Sequence, residues 1–213
     1  MTDRPARQAR IRIVAIGDST TAGTPGWRSP IEAPPDGAGD ETSQYSYWLV
    51  QAHPEWEVLN RGVNGERSDQ IKDRFARDVL SATPDAVVIL AGVNDVYQGR
   101  PASHVQAQLS AMYDEALRAT ITVVAGSIIP YNTATPEQNE RMHEINEWIR
   151  DRSDGIRLHY VDSRGAVARP GNIDLLGDTL DQLHPTAAGY RLMANAIARA
   201  LEHALAQRAH STG

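Results

Sequence analysis

The sequence predicts an α/β protein, a three-layer α/β/α sandwich built on a mostly parallel five-stranded sheet. Five short apolar runs alternate with segments whose apolar residues recur at helical spacing, the pattern of strands joined by crossover helices. The run Ala86-Val87-Val88-Ile89-Leu90-Ala91 is apolar at every position, as suits a central parallel strand covered on both faces. Glycine and polar residues cluster where the runs stop, at the carboxyl edge where open α/β sheets hold their ligands.

The first strand begins at Ile11 and carries Ile13, Val14, Ala15 and Ile16 before Gly17-Asp18-Ser19-Thr20 stops it. Gly17 permits a tight turn that would present Ser19 to a crevice, although such a cluster also suits the cap of a following helix. Thr24 to Glu41 is too rich in Pro and Gly for regular structure. A loop this long beside Ser19 is either a wall of a site, with Trp27 as an apolar contact, or a solvated excursion. Gln44 to Ala52 reads as a helix packing Tyr45, Trp48 and Leu49, and Trp56 to Leu59 as a short strand leading into Asn60-Arg61-Gly62-Val63-Asn64-Gly65.

A helix over Ser68 to Leu80 sets Ile71, Phe75 and Val79 on one stripe and its Asp, Lys and Arg residues toward solvent. The strand Ala86–Ala91 ends in Gly92-Val93-Asn94-Asp95. A helix from about Ala102 to Ala119 buries Val105, Leu109, Met112 and Ala116, and strand four, Ile121 to Ala125, continues apolar to Ile129. Thr135-Pro136-Glu137-Gln138 is a helix start, with a Thr cap, Pro at the first helical position and Gln three residues after the cap. Strand five is Arg157 to Val161, Asp162 to Leu183 is turn-rich, and the last helix spans roughly Thr186 to Leu205. Neither a repeat nor a linker interrupts this order, so one domain is expected, its core at about 11–205 between polar tails.

A chain of 213 residues hides roughly 70% of its unfolded surface as one domain and needs no covalent staple. It has no cysteine, which excludes disulfides, thiolate metal cages and a cysteine nucleophile and fits a reducing cytoplasm. The sequence has neither a signal-peptide apolar region nor a bilayer-spanning stretch, so a cytoplasmic protein without a membrane partner is expected. Net charge is −6, with arginines scattered among acidic residues, whereas a nucleic-acid footprint would show a basic stripe.

Four segments place unusual residues where strands end or the last helix begins: Ser19, Gly62, Asn94 and the run Asp181-Gln182-Leu183-His184-Pro185. One crevice would collect all four. A serine nucleophile needs a base to take its proton, a carboxylate to orient the base, and donors aimed at the oxyanion. Of the seven histidines, His184 is the best base, because Asp181 three residues earlier brings a carboxylate within one turn of its ring. Gly62 offers a bare backbone N–H and Asn94 a side-chain amide. Each also has an ordinary reading: a loop histidine before Pro185, a glycine closing a strand, an asparagine in a turn.

Together these segments make the chain resemble the SGNH, or GDSL, hydrolase family. Gly17-Asp18-Ser19-Thr20 resembles its first block, Gly62 within NRGVNGE the second, Gly92-Val93-Asn94-Asp95 the third, and Asp181 to Pro185 the final Asp-x-x-His block, in the family's order. The resemblance implies a flavodoxin-like SGNH hydrolase fold, with Ser19 as nucleophile, His184 as general base and Asp181 completing the triad. It also implies an oxyanion hole from the Ser19 and Gly62 backbone N–H groups and the Asn94 side chain. Thr20 departs from the leucine of the family name at a position that packs rather than reacts.

The expected chemistry is transfer of an acyl group from a small, short-acyl ester to Ser19 and then to water, with no metal or organic cofactor. The alternatives are a carbohydrate O-deacetylase, a thioesterase or lysophospholipase, and a non-catalytic binding module of the same fold. Neither a dinucleotide-binding G-x-G-x-x-G nor a P-loop is present. Asp18, Trp27, Tyr97 and Tyr131 follow strand ends and are the candidates for contacting substrate.

Overall fold

The computed structural model describes residues 10–211; the tail expected at residues 1–9 lies outside them. Five parallel strands, β1 (Ile11–Gly17), β2 (Trp56–Gly62), β3 (Ala86–Leu90), β4 (Thr122–Gly126) and β5 (Leu158–Val161), form one sheet in the order β2-β1-β3-β4-β5. Strict alternation along each strand sorts side chains into two cores. Ile13, Ala15, Val88, Leu90 and Val124 face one side, and Val14, Ile16, Val87, Ile89, Val123 and Ala125 the other.

Nine α-helices are assigned among the described residues: α1 (Ser19–Ala22), α2 (Tyr45–Ala52), α3 (Ser68–Asp73), α4 (Phe75–Asp78), α5 (Val93–Tyr97), α6 (Ala102–Arg118), α7 (Pro136–Arg152), α8 (Ser163–Val167) and α9 (Ala187–Ser211). Ile71, Phe75, Leu109 and Ile145 bring α3, α4, α6 and α7 onto the face of Val14 and Ile16. Tyr45, Leu49, Val167, Tyr190 and Ile197 bring α2, α8 and α9 onto the opposite face. The three-layer sandwich expected from the apolar runs is therefore the observed architecture, and Thr135 caps α7 with both bonds of the capping box.

The departures are local. The helix expected over Ser68 to Leu80 is broken at Arg74, whose backbone (φ −99°, ψ 3°) ends α3 and precedes α4. Strand β2 runs on to Gly62, Gly92-Val93-Asn94-Asp95 leads into the short helix α5, and α9 extends beyond Leu205. The Pro- and Gly-rich loop folds back on itself, pairing Trp27–Arg28 with Ala38–Gly39, and the turn-rich stretch forms α8 and a second ribbon, Ala168–Arg169 with Asn172–Leu176.

Register brings the strand ends level. Gly17 lies opposite both Gly62 of β2 and Leu90 of β3. The chain leaves β1 for β2 on one side and then returns to β3 on the other. The carboxyl end of β1 is thus the switch point of the sheet, where α/β folds open a crevice.

Candidate active site

Both readings of the polar cluster after β1 hold at once. Asp18 Oδ1 accepts the Thr20 N–H at 2.9 Å and caps α1, which leaves the first helical residue, Ser19, to face the crevice. Its Oγ lies 2.8 Å from His184 Nε2, and His184 Nδ1 lies 2.7 Å from Asp181 Oδ2. Ser19 and the Asp181–His184 turn are far apart in the chain, and the structure brings them together.

The Asp181–His184 turn is built around the carboxylate. Asp181 Oδ1 accepts the N–H groups of Leu183 (2.9 Å) and His184 (2.8 Å). Gln182 between them sits at φ +65°, a left-handed conformation that costs a non-glycine residue about 1 kcal/mol or more. Its carbonyl accepts the Asn132 N–H at 2.7 Å, which ties the turn to the loop after β4. Burial alone would raise the Asp181 pKa, but the bonds from His184 and the two backbone N–H groups outweigh it and hold the carboxyl at about 2. An ionised carboxylate only accepts, so the proton belongs on His184 Nδ1, and Nε2 is left to accept from the Ser19 hydroxyl.

Asp18 behaves in the opposite way. It is 2% exposed, and burial pushes its carboxyl up to about 7 although the Thr20 N–H favours the anion. Enclosure of this kind does not suit a group that must contact substrate. With Thr20, Leu90, Ala91, Val93, Ile128 and Ile129 it lines a niche of about 10 Å³, room for one water-sized group.

Asn94 opens α5 beside the 62–66 loop. One amide hydrogen goes to the Glu66 carbonyl at 2.9 Å, and the other remains to donate. The next residue, Asp95, is fully buried and accepts both the N–H and the hydroxyl of Ser68 at 2.8 Å, which seats α5 on the start of α3. Asp69, Asp95 and His104 approach one another closely enough to suggest metal ligands. Arg67 already grips both oxygens of Asp69 at 3.0 Å, however, and Ser68 those of Asp95, so the cluster serves this junction.

Gly62 requires a correction. Its N–H donates to Asn60 Oδ1 at 2.9 Å and is not available to an oxyanion. The position is glycine for a packing reason: a Cβ there would stand 2.0 Å from the Ala22 nitrogen of α1. Gly62→Ala is therefore expected to destabilise the fold by about 3 kcal/mol, the cost of overpacking against backbone that cannot yield. Urea denaturation measures it, and an unchanged midpoint would mean that α1 is free to move off β2. The glycine that does offer an N–H is Gly65, at φ +75° with open space about it. Among the described residues neither the Gly65 nor the Ser19 backbone N–H has a hydrogen-bond partner.

The aromatic candidates separate. Trp27 is buried against Gly37 and lines a groove with Tyr47, Val58 and Arg61 along the outer edge of β2, which takes in neither Ser19 nor His184. Tyr131 is fully buried and has no face to offer a ligand. Tyr97 is 62% exposed and stands edge-on to Tyr131, with ring centroids 6.1 Å apart. Two groups escaped the sequence reading. Gly65 had a signal in the Asn64-Gly65 turn dipeptide. Arg74 had none, and like Asp78 it is buried rather than on a solvated face.

Fold and site together define a class, a three-layer α/β/α sandwich with a serine, a histidine and an aspartate in hydrogen-bonded sequence at the sheet's switch point. Residues 15–192 match the GDSL-like Lipase/Acylhydrolase family, and the chain belongs to it. A curated relative, the acetylxylan esterase of Geobacillus stearothermophilus, is 24% identical, the match covering 88% of this chain and 92% of that protein. Among solved structures, a G-D-S-L family protein of Desulfitobacterium hafniense DCB-2 superposes with a TM-score of 0.72 at 26% identity, covering 90% of this chain and 99% of that one. A GDSL-like lipase of Bacteroides thetaiotaomicron superposes with a TM-score of 0.66 at 22% identity, covering 94% and 92%. The protein is a carboxylic ester hydrolase. No helix among the described residues is long and apolar enough to cross a membrane.

Proposed function

We propose that the protein hydrolyses carboxylic esters of small, short-acyl substrates through an acyl-enzyme on Ser19. The observation that carries this reading is the unbroken path from Ser19 Oγ to His184 Nε2 at 2.8 Å and from His184 Nδ1 to Asp181 Oδ2 at 2.7 Å. As Ser19 Oγ attacks the ester carbonyl carbon, its proton passes to His184 Nε2, and the anionic Asp181 stabilises the resulting imidazolium. The C–O bond to the alcohol then breaks as Nε2 returns the proton to the leaving oxygen. Water, deprotonated by the same nitrogen, attacks the acyl-enzyme, and as the bond to Ser19 Oγ breaks and the acid leaves, Nε2 returns the proton to Oγ.

The developing oxyanion takes its donors from the Ser19 N–H, the second amide hydrogen of Asn94 and, in place of Gly62, the Gly65 N–H. Asn94→Ala is expected to lower kcat by about 10²–10³-fold, the usual cost of losing one oxyanion donor, with the circular dichroism spectrum unchanged. A folded variant that turns over at the wild-type rate would remove Asn94 from the site.

The decisive assay is hydrolysis of p-nitrophenyl esters of increasing acyl length by wild type and Ser19→Ala. The expected result is a rate highest for acetate, falling with chain length, and absent in the variant; equal rates for the two proteins would end the proposal. A second reading, removal of O-acetyl groups from carbohydrate, is favoured by the exposed Tyr97 ring, since an aromatic face suits a sugar, and by the acetylxylan esterase relative. Acetate release from acetylated xylo-oligosaccharide separates the two.

A further inference from the structure

We infer that Arg74 is the positioning residue that holds the three oxyanion donors in register. The inference rests on the reading of Ser19, Gly65 and Asn94 given above. The Arg74 side chain is 7% exposed, and all three guanidinium nitrogens are engaged. Nη2 donates to the Gly17 carbonyl (3.0 Å), Nη1 to the Arg61 carbonyl (2.8 Å) and Asp78 Oδ2 (2.9 Å), and Nε to Glu66 Oε2 (2.6 Å).

Those partners are the segments that carry the donors. Gly17 closes β1 two residues before Ser19. Glu66 follows Gly65 directly, and its own carbonyl accepts the Asn94 amide. Arg61 lies at the end of β2, where the chain enters the 62–66 loop. One planar cation thus fixes the end of β1, the end of β2 and the loop between β2 and α3, and through Glu66 it also fixes the bond to α5. The fork geometry of the guanidinium makes this possible, because it sends hydrogens in several directions within one plane, whereas an ammonium is a compact point charge on a flexible stem. The helical path from Ser68 breaks at this same residue.

A hub of this kind acts on the transition state rather than on binding. Oxyanion donors work only when aimed at the position the charge will occupy, and a displacement of about 1 Å at a reacting centre costs about 10²-fold in rate. The ester's ground state does not need all three donors converged. Loss of the hub should therefore lower kcat and leave KM nearly alone.

The test compares wild type, Arg74→Lys, Arg74→Met and Glu66→Gln on p-nitrophenyl acetate, with Tm measured for each and Ser19→Ala as the blank. Binding of methylboronic acid, which forms a tetrahedral anion on a reactive serine, is measured alongside. Expected are kcat losses of about 10²-fold for Arg74→Met and about 10-fold for Arg74→Lys and Glu66→Gln, with KM within twofold and boronate affinity weakened in proportion to kcat. Should Arg74→Met fail to fold, the other two variants decide. The inference is overturned by folded variants that keep kcat within twofold, by a loss confined to KM, or by a loss that only follows the fraction unfolded. A folded wild type that hydrolyses no ester overturns the serine-esterase reading, and this inference with it. A wild type that is active, a Ser19→Ala that is not, and Arg74 variants equal to wild type overturn this inference alone.

Discussion

Ser19→Ala is expected to lower kcat for ester hydrolysis by about 10⁶-fold, the scale on which serine nucleophiles contribute, while leaving Tm within a few degrees. Among the described residues the hydroxyl bonds only to His184 Nε2, and it sits on a helix whose cap is supplied by Asp18, so its removal takes little from the fold. His184→Ala should cost about as much. The double variant should cost no more than either single one, because attack and proton transfer are one event and neither group works without the other. Steady-state rates for the three variants, corrected for spontaneous hydrolysis, measure this. Losses that multiply in the double variant would show two independent contributions and sink the assignment of nucleophile and base.

Asp181→Asn should cost about 10⁴-fold in kcat, the magnitude expected when the carboxylate that fixes a catalytic imidazole's tautomer is lost. The carbonyl oxygen of an asparagine can still accept the Leu183 and His184 N–H groups, so the turn is preserved and the effect is confined to the ring. The amide NH₂ would then face His184 Nδ1 and favour the tautomer with its proton on Nε2, which cannot receive the Ser19 proton. Because Asp181 is held at about 2, it stays anionic throughout a usable assay range. Sharing its oxygens with His184 and two backbone groups also makes it a source of stability above the ordinary carboxylate pKa, one lost only as pH falls toward 2. A folded Asp181→Asn enzyme within tenfold of wild type at pH 7 would falsify this role.

The legible parts of the fold were those written in local pattern. Strands apolar on both faces fall where their runs predicted, and an aspartate three residues before a histidine meets it because a single turn spans that distance. Gly62 and Gly65 look alike in sequence. What separates them is the Asn60 side chain folding back onto one N–H, and the backbone of α1, some 40 residues away in the chain, pressing on the same glycine. Arg74 has the spacing of a solvated residue, and its burial is made favourable by the carbonyls of two strand ends together with the carboxylates of Glu66 and Asp78. Tyr131 and Trp27 follow strand ends as a substrate-binding aromatic would, yet Tyr131 is taken into the core beside Tyr97 of α5 and Trp27 is buried against Gly37 of its own loop, and no periodicity records such a path.

The bond from His184 to Ser19 joins positions 165 residues apart, and Tyr190 reaches back to the Thr24 carbonyl at 2.7 Å to fasten the same two regions. The nucleophile thus sits just after β1 and the base at the entry of α9, which follows it in the chain. Long-range pairings of this kind form late in folding, and domains acquire their amino-terminal parts first on the ribosome. A chain made only as far as β5 carries its serine without a base and is chemically quiet, so on this reading the power to cleave esters arrives only as the segment from Asp181 into α9 docks.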